Sequence, residues 1–154
     1  MRSHLRTLVA TFALAVLPAM PALAQDDGVI RVKSAYSVQQ TIERIKADIS
    51  AKGIMHFAQI DQSQLAAAAG IPLRPSTLLI FGNPPLGTLF ITAKAEAGLD
   101  WPVRLLVSQD DQGQVWAIYS DFEWIAARHG IRDRDEQFAT AAGVVRSITS
   151  SITQ

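Results

Sequence analysis

The apolar run Leu78-Leu79-Ile80-Phe81 stops abruptly at Gly82-Asn83-Pro84-Pro85, and Leu86, Leu89 and Phe90 then resume at helical spacing. Few arrangements satisfy both halves. Consecutive apolar residues bounded by a turn signal read as a buried strand inside a sheet. Asn83 can cap a helix, and Pro84 suits a first helical position, where its missing N–H does no harm. The chain must therefore carry a buried strand through a tight turn directly into a helix. A helix start presents unpaired N–H groups, which favours anions or polar ligands at this place.

The remaining pattern builds around that unit. Val29 to Tyr36 alternates as a strand. Ser37 and Gln40 form a capping box for a helix with the stripe Val38, Ile42, Ile45 and Ile49, ended by Gly53. A second strand, 54–60, runs into Asp61, which is paired with Gln64 as another capping box for a short helix closed by Gly70. The third strand covers 76–81 and is expected to be central. The helix after Asn83 is expected to bury Leu86, Leu89, Phe90, Ala93 and Ala97 and to end at Gly98. Two strands then flank Asp110-Asp111-Gln112-Gly113, a hairpin signal. Ser120 with Glu123 is expected to cap one helix, and Asp133 with Glu136 to open the last, whose stripe is Phe138, Ala141, Ala142, Val145, Ile148 and Ile152. The order β-α-β-α-β-α-β-β-α-α gives an α+β class, a mostly antiparallel sheet with helices on one face.

The N-terminus is expected to be removed. Arg2, His4 and Arg6 precede a short apolar run, and Ala22-Leu23-Ala24 is a small-residue exit, the three parts of a secretory signal peptide. The apolar run is shorter than the roughly 20 residues that cross a bilayer. Residues 1–24 are thus read as a signal peptide and 25–154 as one periplasmic or secreted domain, with no membrane contact after cleavage. Losing Arg2 and Arg6 lowers Lys+Arg from 14 to 12 against 14 acidic residues, a balance that disfavours nucleic acid. The absence of cysteine excludes disulfides and thiolate chemistry.

Phe57-Ala58-Gln59-Ile60-Asp61, Ala69-Gly70, Leu73-Arg74-Pro75, Ile80-Phe81-Gly82-Asn83-Pro84, Gly87-Thr88, Leu99-Asp100-Trp101-Pro102, Gly113-Gln114-Val115-Trp116 and Tyr119 follow one another in the order and spacing of a known family. Across about residues 29–131 the chain resembles the bacterial DUF302 domain family. The resemblance implies a TATA-binding-protein-like α+β fold and a homodimer, and no established activity. Fold likeness to a DNA-binding protein does not imply DNA binding. The chain departs from the family at Gln62, where a histidine is usual; an amide neither titrates nor ligates metals well.

Six residues are candidates for a site: Asp61, Gly82, Asn83, Thr88, Asp100 and Trp101. If the strands before Asp61 and Asn83 run in the same direction, both caps face one rim, with Asp100 close by. Oxygen donors so placed suit a small polar ligand or a hard cation. Gly82 allows close backbone approach, and Trp101 can line a pocket or a dimer seam. No metal centre and no cofactor is assigned, and no catalytic dyad or triad is legible. The leading expectation is a binding or interaction module. The alternative is an enzyme using Asp61 and Asp100 as an acid/base pair or as metal ligands.

Overall fold

The structure is a computed structural model that describes residues 27–154, so the expected leader lies outside the described residues. Strands β1 (Val29–Lys33), β2 (Met55–Asp61), β3 (Ser76–Gly82), β4 (Val103–Gln109) and β5 (Val115–Ser120) form one sheet in the order β1-β5-β4-β3-β2. All four neighbouring pairs are antiparallel. The helices are α1 (Val38–Ala51), α2 (Gln62–Ala68), α3 (Pro84–Ala93), α4 (Phe122–His129) and α5 (Asp135–Ser150), with a 3-10 helix at Ala95–Leu99. The α+β class and the element order are as the sequence implies. No described helix is long and apolar enough to cross a membrane.

Strand alternation decides where the core lies. Leu79 and Phe81 of β3, Leu105 and Val107 of β4, and Ala117 and Tyr119 of β5 are buried against the helices. Their partners are Ile42, Ile45 and Ile49 of α1, Phe90 of α3, and Phe138, Val145 and Ile148 of α5. Phe90 stacks on Phe138 with ring centroids 4.2 Å apart. The residues between them, Leu78, Ile80, Leu106 and Ile118, are only half-buried on the other face. Strand β3 is therefore interior but not central. The middle strand is β4, and the apolar run of β3 is covered by helices on one side.

The caps explain most boundaries. The Ser37 hydroxyl accepts from the Gln40 backbone N–H, and the Gln40 side chain accepts from the Ser37 backbone N–H, a complete capping box. Gly53 follows at φ +64°, a conformation that favours glycine. Asp110 accepts from the backbone N–H of Gln112 and Gln114 and from Trp116 Nε1 at 2.7 Å, which fixes the β4–β5 turn.

Three expected helix starts and one stripe are corrected. Asp61 accepts from Gln64 N at 2.9 Å, but the reciprocal half of the box is absent from the bonds Gln64 makes. Helix α4 is capped by Asp121, not Ser120, because Ser120 is still paired with Val29 in the sheet. Asp133 bonds the Arg134 side chain at 2.7 Å, so α5 starts without a side-chain cap. Helix α3 ends at Ala93, and Ala97 is buried from the 3-10 helix that follows. Leu89 faces outward.

Candidate functional site

Where β3 gives way to α3, the helices leave a hollow of about 230 Å³. Phe81 and Gly82 close it from the strand, Leu86, Gly87 and Phe90 from α3, and Ala141, Val144 and Val145 from α5. Trp101, Val103 and Phe122 complete the apolar wall, while Lys52, Asn83 and Thr140 supply polar groups. Three of the six candidate residues, Gly82, Asn83 and Trp101, line this cavity.

Glycine is required here by the indole of Trp101. A Cβ on Gly87 would lie 1.8 Å from Trp101 Cε2 and Nε1, and one on Gly82 would lie 3.1 Å from Nε1. The ring is thus laid against the backbone of both the strand end and the helix start. The edge of Phe57 approaches it from β2 at 6.2 Å between centroids. Trp101 is half-buried, and its Nε1 makes no hydrogen bond among the described residues.

The start of α3 does not offer the expected anion site. Pro84 and Pro85 occupy its first positions and have no N–H. The Leu86 N–H goes to Asn83 Oδ1 at 3.2 Å, and Gly87 N–H to the Asn83 carbonyl at 2.9 Å. The donors that a helix start usually leaves over are removed or used. The Thr88 hydroxyl donates to the Pro84 carbonyl at 2.5 Å and is exposed outside the cavity.

The expected meeting of Asp61 with Asn83 is also corrected. Strands β2 and β3 are antiparallel, with Met55 opposite Gly82 and Asp61 opposite Thr77. Asp61 therefore sits at the end of the sheet opposite the turn. It accepts from Ser63 Oγ at 2.6 Å, and this bond, with that from the Gln64 backbone, holds its carboxyl below the usual carboxylate range. Gln62, the departure from the family pattern, accepts from the Ser76 hydroxyl at 2.8 Å, a contact between α2 and β3.

Asp100 is in neither place. It follows the 3-10 helix, and its side chain is 5% exposed. Oδ2 lies 2.6 Å from His129 Nε2, and both oxygens accept from Arg128 Nη1 at 3.1–3.2 Å. Arg104 Nη2 adds a bond at 3.2 Å. With three side chains converging on one carboxylate, Asp100 ties the 3-10 helix to β4 and to the end of α4. It does not line the cavity. Asp61 and Asp100 are therefore not brought together within one chain. His129 is the last residue of α4, and nothing in the sequence around it points to this partner. Among the described residues no group of three or more His, Asp or Glu side chains is placed to hold a metal ion.

The pattern for a domain of unknown function, DUF302, matches residues 30–149. The chain belongs to the DUF302 family. A crystal structure of an uncharacterized conserved DUF302 protein from Bacillus stearothermophilus has the same fold, with a TM-score of 0.74 at 16% identity over 82% of this chain and 98% of that one. Among curated proteins, "Fluoride-specific ion channel FluC 1" of Brucella suis biovar 1 is 41% identical over 106 residues, 69% of this chain and 42% of that protein. "Fluoride-specific ion channel FluC 2" of Brucella melitensis biotype 1 is 41% identical over 106 residues, 69% of this chain and 39% of that protein. This DUF302 chain thus spans about two fifths of the length of those relatives.

Proposed function

We propose that this DUF302 domain is an exported binding module, and that its site is the cavity beneath the Gly82-Asn83 turn. The single observation behind this reading is a hollow of about 230 Å³ between the sheet and helices α3 and α5. Its lining is largely apolar. The ligand is correspondingly more apolar than the small polar molecule expected from sequence. At a liquid-water share of about 30 Å³ per molecule, the space holds on the order of eight non-hydrogen atoms.

The test is a thermal-shift titration with 1-octanol on protein lacking residues 1–24. Ligand at ten times its Kd stabilises by about 1.4 kcal/mol, a shift of several degrees for a domain of this size. Val144→Phe, which fills the hollow, should abolish that shift and leave the domain folded. No shift with octanol or other slender apolar probes would refute the reading.

Homodimer formation is part of the proposal. Helix α2 has no buried residue, and Leu65, Ile71 and Leu73 on and just after it are exposed, as are Met55 and Phe57 on the edge strand β2. Sedimentation should give a dimer that Leu65→Gln with Leu73→Gln weakens; a monomer at high concentration would refute it.

Kinship with the Brucella channel polypeptides favours a second reading, in which the domain works beside a membrane transport protein. The observation behind it is that the match covers most of this chain and a minority of those proteins. Co-purification of the domain with a channel polypeptide that lacks such a segment tests it, and no complex would count against it.

A further inference from the structure

The polar groups on the cavity wall are unequally used, and this narrows the ligand. Asn83 Oδ1 is engaged by Leu86 N–H, and the Thr140 hydroxyl spends its proton on the Glu136 carbonyl at 2.8 Å. The side-chain donors left are Trp101 Nε1, the Asn83 amide N–H groups and the Lys52 ammonium. Lys52, at the end of α1, makes no ion pair or side-chain hydrogen bond among the described residues. Among the described residues it is the only charged one on the lining, and no carboxylate of theirs shares the cavity with it. Trp101 Nε1 is likewise unpaired, and since no buried side-chain nitrogen lacks a partner, this one is reachable from solvent.

An apolar hollow with a lone ammonium at its lip and unused N–H donors on its wall asks for an acceptor, not a donor. We infer that the cavity takes a monoanionic amphiphile, an aliphatic carboxylate of about eight carbons, with its tail against Phe90, Val144 and Val145 and its head group paired with Lys52. This rests on the reading of the cavity as the binding site. The pair lies at the surface, so it selects among ligands more than it holds them; exposed ion pairs contribute up to about 1 kcal/mol, roughly a fivefold change in Kd.

Octanoate and 1-octanol share a tail and differ in the head, which separates the two claims. Calorimetric titration should give a lower Kd for octanoate than for octanol. Lys52→Gln should raise the octanoate Kd about three- to fivefold and leave octanol unchanged, Lys52→Arg should restore it, and 0.5 M NaCl should erase the difference. Equal binding of both compounds, indifferent to Lys52→Gln, would overturn the anionic head group and leave the cavity as the site. Binding of neither would overturn both.

Discussion

Gly87→Ala is the sharpest perturbation of this site. The new Cβ would meet the Trp101 indole at 1.8 Å, and the atoms it meets belong to a rigid ring, not to the end of a flexible chain. The ring has to leave its place against α3, which also moves a wall of the cavity. Overpacking of this kind costs about 1–3 kcal/mol, and the severity of the overlap puts the cost at the upper end. Replacing glycine inside a helix returns roughly 0.5–1 kcal/mol. The net loss is then about 2 kcal/mol, which corresponds to a fall in Tm of roughly 6–10 °C for a domain of this length. Differential scanning calorimetry measures the fall. Tryptophan emission, compared with a Trp101→Phe background, reports whether this indole has moved into water. Gly143→Ala is the internal control: it lies in α5 with nothing within 4 Å of a new Cβ, and should raise stability by about 0.5–1 kcal/mol. If Gly87→Ala also raised Tm, with unchanged emission, the packing of Trp101 on α3 described above would be wrong.

Other substitutions test separate parts of the structure. Asn83→Ala removes the Leu86 bond and should cost about 1 kcal/mol in urea unfolding. Ile45→Ala, at a fully buried position, should cost roughly 2–5 kcal/mol; a negligible change would displace α1 from the core. Asp100→Asn leaves buried His129 without its carboxylate, and should cost about 1–3 kcal/mol by the same assay. Asp110 is held below the usual carboxylate range, first by its bond from Trp116 Nε1 and then by backbone N–H groups. A lowered carboxyl in the folded state contributes stability that is full above the ordinary carboxylate value and is lost as pH falls through the lower folded one. Urea midpoints should therefore hold from neutrality to about pH 4 and fall below it. Asp110→Asn should flatten that acid limb, and an unchanged acid limb would remove Asp110 from the account.

The fold was legible where a local rule had one solution. Ser37 with Gln40, Asn83 before Pro84 and the Asp110–Gly113 turn each act within four residues, and each is seen in the structure. Errors came where a cap had a rival close by: Asp121 beside Ser120, Arg134 beside Asp133. The site was half legible. Gly82, Asn83 and Trp101 mark the cavity, because close approach needs glycine and a tryptophan beside a proline has few places to go. The failure of Asp61 to join them depends on strand direction, a property of pairing that no short pattern carries. The His129–Asp100 contact joins a helix end to a 3-10 turn, and its two partners look ordinary in sequence. Ala141 and Val145 read as part of a helix stripe, and only the facing α3 shows that they leave room.

Strand β1 is the first element of the domain, and its neighbour in the sheet, β5, is the last strand made. Just beyond it, the Ala35 N–H reaches the Ile152 carbonyl near the end of the chain. A polypeptide emerging from a ribosome or a translocation pore therefore carries Val29–Lys33 as an unclaimed edge until Val115–Ser120 has followed. Closure of the sheet is a late, long-range event of the kind that slows folding. For a domain exported as proposed above, that interval would keep the chain threadable.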